Sequence, residues 1–552
     1  MKIIIAQLNF TVGDIEGNLD KILTTYQKIR QENALLICTE LALTGYYPQD
    51  LLLREDLISR QLNALEVLKK ETKNQPCAVV VGFAAKNKDT FGKPLFNALA
   101  VISDGQQIFE YHKQLLPTYN VFDEARHFAQ GTRDNCFTYK GKCIGFLICE
   151  DAWYEENKTF YQIDPVANLT NKQLDLIISI NASPSNLGKI QERHHLAQKI
   201  VQRTNAPFVY ANQVGGNDEL VFDGGSFIMD KNFSITAQAD YFSEDLLSDN
   251  NTDKNRHSNN PKMSQESFIW QQVVLGIRDY ISKCGFSQVV IGSSGGIDSA
   301  VTLAICTAAI GANNVTAITM PSKFSSVGSV NDSVTLCDNL KVSLLHSSIT
   351  EEFEHAVSQF KEVTGETASP ITQENIQARI RGRLLMEYSN HYGALVISTG
   401  NKSEMSVGYA TLYGDMNGGI NPLGDLYKME VYALAKWINR QAGFSLIPDA
   451  IINKEPSAEL AAGQQDRDSL PDYPLLDAIL KLYIEGDLLT IDEKQVCQNT
   501  LNHYAVNQHL LARIHAMVDH AEFKRRQAPP IIRVQKRSFG MGRWLPVAAH
   551  YD

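Results

Sequence analysis

One polar, asparagine-rich segment constrains the fold of this 552-residue sequence more than any other feature. Between residues 240 and 265 the chain has few β-branched side chains and too little apolar surface to form a packed core. We therefore interpret residues 241–265 as a linker between two domains, residues 1–240 and 266–552. Both lengths fall within the range of large single domains.

Composition limits the classes of function that the chain can have. With 51 Lys and Arg against 62 Asp and Glu, its formal net charge is −11. This argues against non-specific binding to nucleic acid or to an anionic membrane, because both require a positive field. Nine cysteines without a Cys-x-x-Cys pair or zinc-type spacing are typical of thiols in a reducing cytoplasm. The sequence shows neither a signal peptide nor a membrane span, so we expect a cytoplasmic protein.

Both domains have the pattern of an α/β fold, in which short apolar runs alternate with segments of helical periodicity. In the first domain the predicted strands are 2–7, 34–39, 78–83, 98–103, 144–149, 176–180 and 208–212, and the predicted helices are 19–30, 57–70 and 191–204. In the second domain the predicted strands are 289–291, 314–320, 343–346 and 394–398.

Cys149 is a candidate nucleophile because it ends an apolar strand, where functional residues often lie. A thiol that attacks an amide needs a base to take its proton and a cation to stabilise the oxyanion. Glu40 ends another apolar run, and Lys113 lies between apolar flanks, so these two residues supply both groups. Taken singly, each has a simpler explanation as a core thiol or a solvated charge.

The first domain resembles the amidases of the nitrilase superfamily, whose catalytic set is Glu, Lys and Cys in this chain order. The resemblance implies an αββα sandwich in which Glu40 is the general base, Lys113 stabilises the oxyanion and Cys149 forms a thioester. It also implies that Glu124 helps to position the amide. The other segments that carry the resemblance are 119–128, 181–185 and 212–226. The positions that match glutamine-binding residues are Tyr119, Ser183 and Lys189.

A second candidate site is a strand, a glycine-rich turn and a helix between residues 288 and 304. Its centre, residues 294–299, reads SGGIDS. Paired glycines let backbone N–H groups approach an anion, and the helix that follows adds the positive end of its dipole. The hydroxyls of Ser294 and Ser299 add donors, and Asp298 can hold Mg²⁺. The segment lacks the Walker pattern GxxxxGK[ST].

This loop resembles the pyrophosphate-releasing ATP loop (PP-loop) of enzymes that adenylylate a substrate. The motifs around it resemble the NAD synthetases, at segments 320–326, 372–382, 398–404, 408–415, 421–423, 454–460 and 523–530. With the amidase domain in front, the whole chain resembles the glutamine-dependent NAD⁺ synthetases. The resemblance implies a Rossmann-like, parallel-sheet ATP pyrophosphatase fold for the second domain.

The resemblance also implies roles for individual residues of the second domain. The matching ATP contacts are Gly292, Ser293, Ser294, Gly295, Gly296, Ile297, Asp298, Ser299, Thr399, Lys428 and Ser457. The matching contacts to the dinucleotide substrate are Asn375, Arg379, Glu404 and Lys524, and the matching Mg²⁺ ligands are Asp298 and Glu404. A basic cluster agrees with these roles, because two phosphorylated substrates and a leaving pyrophosphate need cations in one cleft. Its members are Lys524, Arg525, Arg526, Arg533, Lys536, Arg537 and Arg543.

The function implied is ATP-dependent amidation of deamido-NAD⁺ to NAD⁺, with release of AMP and pyrophosphate. Glutamine hydrolysis would supply the ammonia, and an enclosed route would keep ammonia unprotonated. We expect glutamine, ATP and deamido-NAD⁺ as substrates, Mg²⁺ as the metal and no permanently bound organic cofactor. We also expect a homo-oligomer without nucleic-acid or membrane partners.

Two alternatives stay open at this point. One is an amidase fused to a different PP-loop enzyme that modifies tRNA or a nucleotide, against which the net charge of −11 argues. The other is a non-catalytic nucleotide sensor or scaffold. Against it stands the retention of the four residues to which the chemistry is assigned, Glu40, Lys113, Cys149 and Asp298.

Overall fold

The computed structural model describes residues 1–89, 91–249, 263–461 and 463–550. Its contacts divide the chain into two compact units, Met1–Met263 and Ser264–Asp552. Each unit has its own sheets and apolar core, as the sequence pattern of two α/β domains predicts.

The first unit contains strands and helices in alternation, as predicted, with further short strands towards its end. Its strands are β1 (Lys2–Gln7), β2 (Ala34–Ile37), β3 (Ala78–Lys86), β4 (Leu95–Ser103), β5 (Gln106–His112), β6 (Cys136–Tyr139), β7 (Lys142–Ile148), β8 (Leu176–Asn181), β9 (Phe208–Asn212), β10 (Val214–Asn217), β11 (Leu220–Asp223), β12 (Phe227–Met229), β13 (Ile235–Gln238) and β14 (Asp245–Ser248). Its helices are α1 (Ile15–Ile29), α2 (Glu55–Thr72), α3 (Tyr154–Asn157), α4 (Ala167–Thr170) and α5 (Lys189–Thr204).

Two six-stranded sheets form the centre of this unit, in the orders β14-β1-β2-β3-β4-β5 and β13-β12-β9-β8-β7-β6. Successive side chains of a strand point to opposite faces, so Leu35 and Leu36 of β2 enter different cores. Leu35 belongs to the core that also contains Val209 of the other sheet, whereas Leu36 belongs to the core that contains Ile22 of α1. Helix α5 covers the outer face of the second sheet. The unit is therefore the predicted αββα sandwich.

The structure corrects part of the predicted linker, residues 241–265. Strand β14 lies within that range and pairs antiparallel with β1, and its Leu247 is fully buried. This strand is not predicted from the sequence because polar residues surround its two leucines. At the other end Ser264 caps the next helix through its side chain. Residues 250–262 lie outside the described part of the chain.

The second unit is mostly helical around a small parallel sheet. Its strands are β15 (Val289–Gly292), β16 (Val315–Thr319), β17 (Ser343–His346) and β18 (Leu395–Ile397). Its helices are α6 (Gln265–Lys283), α7 (Ile297–Ile310), α8 (Val327–Leu340), α9 (Thr350–Thr364), α10 (Pro370–Tyr392), α11 (Lys402–Val407), α12 (Lys428–Ala442), α13 (Asp449–Asn453), α14 (Tyr473–Ile484), α15 (Ile491–His503), α16 (Gln508–His520) and α17 (Glu522–Arg525).

The sheet order β17-β16-β15-β18 is parallel throughout. Strand β15 is the first in the chain and lies between β16 and β18, so the winding direction reverses beside it. Ligands of open parallel sheets bind at such a switch point, outside the carboxyl ends of the strands. The predicted Rossmann-like fold is therefore confirmed, and its topology places the loop after β15 at the expected binding edge.

Candidate active sites

Cys149 lies where a buried strand becomes a short helical turn. Strand β7 ends at Ile148, and Cys149 opens a 3₁₀ turn that ends at Trp153. Its φ of 43° is in the left-handed region, which side chains other than glycine rarely adopt. Burial and the negative charge of Glu40 raise the pKa of this thiol well above its usual value. The resting group is therefore a neutral thiol that needs a base before it can attack.

A lysine joins two carboxylates beside this thiol. Lys113 Nζ donates to Glu40 Oε1 and to Glu124 Oε1, at 2.7 Å in each case. All three side chains are fully buried. Burial opposes the charge of Lys113, but Glu124 and Glu40 raise its pKa well above the usual value. Cys149 interacts electrostatically with all three, so the sequence-predicted set is brought together in one buried cluster.

Three residues that the sequence analysis did not single out hold these carboxylates in place. Asn97 Nδ2 donates to Glu40 Oε1 at 2.7 Å and to Glu124 Oε2 at 3.3 Å. Tyr46 Oη donates to Glu124 Oε1 at 2.7 Å, and the backbone N–H of Ala182 donates to Glu40 Oε2 at 3.0 Å. A lone asparagine inside an apolar strand was an available signal, because a buried amide requires partners.

Two of the three residues predicted to bind glutamine adjoin the turn that carries the thiol. Tyr119 Oη donates to both carboxylate oxygens of Glu150 at 3.0 Å. Lys189 Nζ lies 3.8 Å from the ring centroid of Trp153, and burial lowers its pKa. Glu150 and Trp153 belong to the same turn as the nucleophile. A cation and a carboxylate are thus available near the thiol for an amino acid with two opposite charges.

Ser183, the third predicted glutamine contact, is fixed by a buried arginine. Arg193 donates through Nη2 to Ser183 O at 2.8 Å and through Nε to Ser183 Oγ at 3.3 Å. The same guanidinium pairs with Asp223 Oδ1 at 2.6 Å. The backbone N–H of Ser183 donates to Asn212 Oδ1 at 3.0 Å. The position of this serine therefore depends on a buried ion pair.

In the second unit the predicted anion loop joins β15 to α7. Gly295 has a φ of 73°, and a Cβ added there would lie 2.3 Å from Ser329 O, so only glycine fits. Ser299 Oγ donates to Gly296 O at 3.0 Å and lies 3.2 Å from Ser294 Oγ. The loop combines hydroxyls with the N-terminus of a 14-residue helix, which is suited to a phosphate.

A second ion-pair cluster lies beside this loop. Lys428 Nζ is 2.7 Å from Asp298 Oδ2 and 2.9 Å from Glu404 Oε1. Asn401 Nδ2 donates to Asp298 Oδ1 at 2.9 Å, and Tyr473 Oη donates to Glu404 Oε1 at 3.2 Å. Burial raises the pKa of Glu404 to about 7, and the charge of Asp298 adds to the effect, while Lys428 opposes it. The lysine occupies the space between two carboxylates that also suit a divalent cation.

A cavity of about 290 Å³ adjoins the loop and this cluster. Its lining includes Glu404 and ten of the eleven predicted ATP contacts, namely Gly292, Ser293, Ser294, Gly296, Ile297, Asp298, Ser299, Thr399, Lys428 and Ser457. Within the described residues, Gly295 is not part of the lining. Tyr409 and Asp466 line the cavity as well and were not predicted.

Among the described residues, three of the four predicted dinucleotide contacts are not part of the cavity lining but lie next to it. Asn375, Arg379 and Lys524 converge on segment 408–412, which follows α11. Their hydrogen-bond partners there are Thr411 Oγ1 for Asn375, Leu412 O for Arg379, and Gly408 O and Ala410 O for Lys524. Arg379 and Lys524 thus donate to backbone carbonyls of a segment that contains Tyr409, a residue of the cavity lining.

Within the described ranges, no group of three or more His, Cys, Asp or Glu side chains has the arrangement of a metal site. The two predicted metal ligands, Asp298 and Glu404, are therefore a pair of carboxylates and not part of such a group. Over the same ranges, no helix has both the length and the apolar character needed to cross a bilayer.

Two families match the two units. Residues 2–252 match the carbon–nitrogen hydrolase family, and residues 269–528 match the NAD synthase family. The matches agree with the αββα sandwich of the first unit and with the glycine-rich loop of the second.

Curated relatives match the chain over its whole length. The chain is 39% identical to the glutamine-dependent NAD(+) synthetase of Synechocystis sp., over 99% of this chain and 98% of the relative. It is 38% identical to the enzyme of the same name from Acinetobacter baylyi, over 99% and 98%. These matches favour NAD synthesis over a PP-loop enzyme that modifies tRNA.

Solved structures agree with this assignment. The glutamine-dependent NAD+ synthetase from Acinetobacter baumannii, solved in complex with ADP, aligns with a TM-score of 0.76 at 36% identity, over 99% of this chain and 98% of that chain. The one from Cytophaga hutchinsonii aligns with a TM-score of 0.83 over 100% and 98%, and at 21% identity it supports the fold alone. The chain therefore belongs to the glutamine-dependent NAD(+) synthetases.

Proposed function

We propose that the chain makes NAD⁺ by ATP-dependent amidation of deamido-NAD⁺, using ammonia from glutamine and releasing AMP and pyrophosphate. The observation that carries the proposal is the presence of both halves of this chemistry in one chain. One unit has a buried Glu–Lys–Glu cluster at a cysteine, and the other has a glycine-rich loop beside paired carboxylates.

In the first unit, Glu40 takes the proton of the Cys149 thiol, and the sulfur attacks the side-chain amide carbon of glutamine. The cation of Lys113 stabilises the oxyanion that forms. Ammonia leaves when the tetrahedral intermediate collapses to a thioester, and water then releases glutamate. Glu124 accepts a hydrogen bond from Lys113 and positions the amide. The neutral resting state of the thiol supports a general-base role for Glu40.

Recognition of glutamine rests on Tyr119, Ser183 and Lys189. The ammonium of Lys189 pairs with the α-carboxylate of the free amino acid, because a partly desolvated carboxylate requires a cation. Tyr119 and Ser183, which are held by Glu150 and Arg193, would contact the same amino acid. This arrangement supports a small amino acid substrate rather than an amide within a folded chain.

In the second unit, the carboxylate of the nicotinate ring attacks the α-phosphate of ATP, and pyrophosphate leaves. Activation is required because a carboxylate is a poor electrophile with a poor leaving group. Ammonia then attacks the acyl carbon of the adenylate, and AMP departs with the acyl C–O bond electrons. The hydroxyls and backbone N–H groups of residues 294–299 hold the phosphates, with Thr399, Lys428 and Ser457 as further contacts.

The residues present fit a magnesium ion. Asp298 and Glu404 are two oxygen-ligand side chains that already share one cation, the ammonium of Lys428. Mg²⁺ is commonly held by one or two carboxylates together with substrate phosphates. When bound, it would neutralise phosphate charge and help pyrophosphate to leave. If Asp298 and Glu404 bound the metal ion, the ammonium of Lys428 would be released from them and could contact phosphate.

Deamido-NAD⁺ binding involves Asn375, Arg379, Glu404 and Lys524, three of which meet at segment 408–412. The cations there donate to backbone carbonyls, and anionic phosphate groups would compete for them. We further propose that the protein acts as a homo-oligomer in the cytoplasm. Its mass in solution, measured by light scattering, tests the oligomer.

The function is tested by incubating the full-length protein with ATP, Mg²⁺ and deamido-NAD⁺, with glutamine or an ammonium salt as the only nitrogen source. We expect NAD⁺ and AMP in equal amounts with either source. Formation of ADP in place of AMP, or turnover of a different carboxylate in place of deamido-NAD⁺, would contradict the proposal.

A further inference from the structure

Two cysteines of the first unit face each other across neighbouring strands. Cys136 Sγ and Cys143 Sγ lie 3.1 Å apart. Cys136 belongs to β6 and Cys143 to β7, and these strands pair antiparallel. The two residues are diagonal neighbours, because Cys136 lies opposite Gly145 and Cys143 lies opposite Thr138. Diagonal neighbours on one face of a sheet are farther apart than directly opposite residues, and here the two thiols turn towards each other until the sulfurs are in contact.

The residue directly opposite Cys136 is a glycine, Gly145, so no cross-strand side chain faces the thiol of Cys136. The side chains of Leu169 and Ile177 fill the space beside Gly145, and the thiol of Cys136 lies against that of Cys143. Both thiols pack against the apolar core beneath α5, beside Leu169 and Ile177. They are half-buried, whereas Cys306 is fully buried. A small oxidant can therefore reach the pair without local unfolding.

We propose that Cys136 and Cys143 form a reversible disulfide on contact with a peroxide. One thiolate attacks a peroxide oxygen, the O–O bond breaks, and the cysteine becomes a sulfenic acid. The second thiol attacks that sulfur, the S–S bond forms, and water leaves. The two thiols lose two electrons and two protons, and one hydrogen peroxide becomes two water molecules. A disulfide needs a sulfur separation of about 2.05 Å, which is a small movement from the observed contact.

The position of the pair gives the disulfide a structural effect. Strand β6 is a four-residue edge strand whose sheet neighbour is β7. A covalent bond between these strands fastens that edge to the interior of the sheet. Strand β7 continues directly to Cys149, so oxidation would fix the strand on which the nucleophile is mounted. The modification does not depend on the proposed reaction.

The test maps the cross-link by peptide mass spectrometry under non-reducing conditions. Trypsin cuts after Arg133, Lys140, Lys142 and Lys158, which places Cys136 in peptide 134–140 and Cys143 in peptide 143–158. Cys149 shares the second peptide, so the mapping uses the full-length Cys149→Ala variant. Burial raises the pKa of Cys136 to about 12, so hydrogen peroxide is applied in alkaline buffer, where more thiolate is present.

We expect a peptide pair that is lighter than the sum of its parts by two hydrogen atoms and that separates on treatment with dithiothreitol. The number of alkylatable thiols in the unfolded protein should fall by two. Cys136→Ser and Cys143→Ser should each abolish the linked pair, and exposed Cys284 provides the reference for alkylation.

The proposal is overturned if Cys136 and Cys143 stay as alkylatable as before oxidation. It is equally overturned if oxidation stops at the sulfinic acid, or if the linked species is a dimer of chains on a non-reducing gel. A link from Cys136 to Cys149 in the unmodified chain, with none to Cys143 in Cys149→Ala, would also assign the chemistry to a different pair.

Discussion

Glu40 and Lys113 form an ion pair at 2.7 Å that is completely shielded from solvent. Removing Lys113 leaves Glu40 and Glu124 buried without their cation, and removing Glu40 leaves Lys113 with Glu124 as its one paired carboxylate, so either change costs stability as well as chemistry. Substitution of this pair therefore mixes two effects. The neutral thiol of Cys149 next to it offers a cleaner test of the same site.

Cys149→Ala should reduce glutamine-driven NAD⁺ synthesis by at least about 10³-fold, because no other group in the cluster can form the thioester. Synthesis with an ammonium salt should stay unchanged, since the second unit keeps its own site. Both rates are measured as NAD⁺ formed. Cys284→Ser, at an exposed cysteine, is the control and should alter neither rate. Full glutamine-dependent activity in Cys149→Ala would remove this residue from the mechanism.

Glutamine hydrolysis should fall as the pH drops through about 7. Burial raises the pKa of Glu124 to about 7, and Lys113 only partly offsets this, so protonation below that pH removes the charge that pairs with the lysine. Glu124→Gln should lower the rate by about 10- to 100-fold and abolish this inflection. Glutamate release is measured across the pH range, with Glu66→Gln as a surface control. An unchanged inflection in Glu124→Gln would assign the titration to a different group.

Asp298→Ala should reduce NAD⁺ synthesis by at least about 10²-fold with either nitrogen source, because the substitution removes one of the two carboxylates that share Lys428. Glutamine hydrolysis measured alone should persist. Asp338→Ala, at an exposed position on α8, is the matched control. If ammonium-driven synthesis survives in Asp298→Ala, then Asp298 has no role in holding the metal or ATP.

Asp223→Ala should destabilise the first unit by about 3–5 kcal/mol, because it leaves the buried guanidinium of Arg193 without its counter-ion. Glutamine-driven activity should fall too, since Arg193 holds the backbone of Ser183. Urea denaturation measures the loss of stability. The exposed pair of Arg54 and Asp56 provides the comparison, and Asp56→Asn should shift the unfolding midpoint far less. Equal midpoints for the two variants would show that the Arg193 pair is not stabilising.

Much of each site could be predicted from sequence because its residues lie at the ends of clear elements. Glu40 follows the apolar strand β2 of one sheet and Cys149 follows the apolar strand β7 of the other, so each residue could be placed at the end of its own strand. The loop of residues 294–299 joins a strand to a helix in the way that its glycines indicate. Local pattern is sufficient in these cases because the function requires that local conformation.

Other residues could not be predicted because their roles depend on long-range contacts. Tyr46 reaches Glu124 across 78 positions of sequence, and the N–H of Ala182 reaches Glu40 across 142. No spacing rule connects such residues before the sheets pair. The short strands after β9 were missed for a related reason, because three or four residues are too few to establish a period.

Strand β14 has a practical consequence for anyone who separates the two units. It covers β1, which would otherwise be the edge of its sheet, and it brings the chain back beside its own first strand before the second unit begins. A fragment cut at residue 240 would expose a row of unpaired backbone groups on β1, next to the apolar side chains of Ile4 and Ile5. We expect such a fragment to aggregate through pairing of β1 between molecules. A fragment that contains the glutaminase unit alone should therefore extend at least to residue 249, the end of the described segment that includes β14.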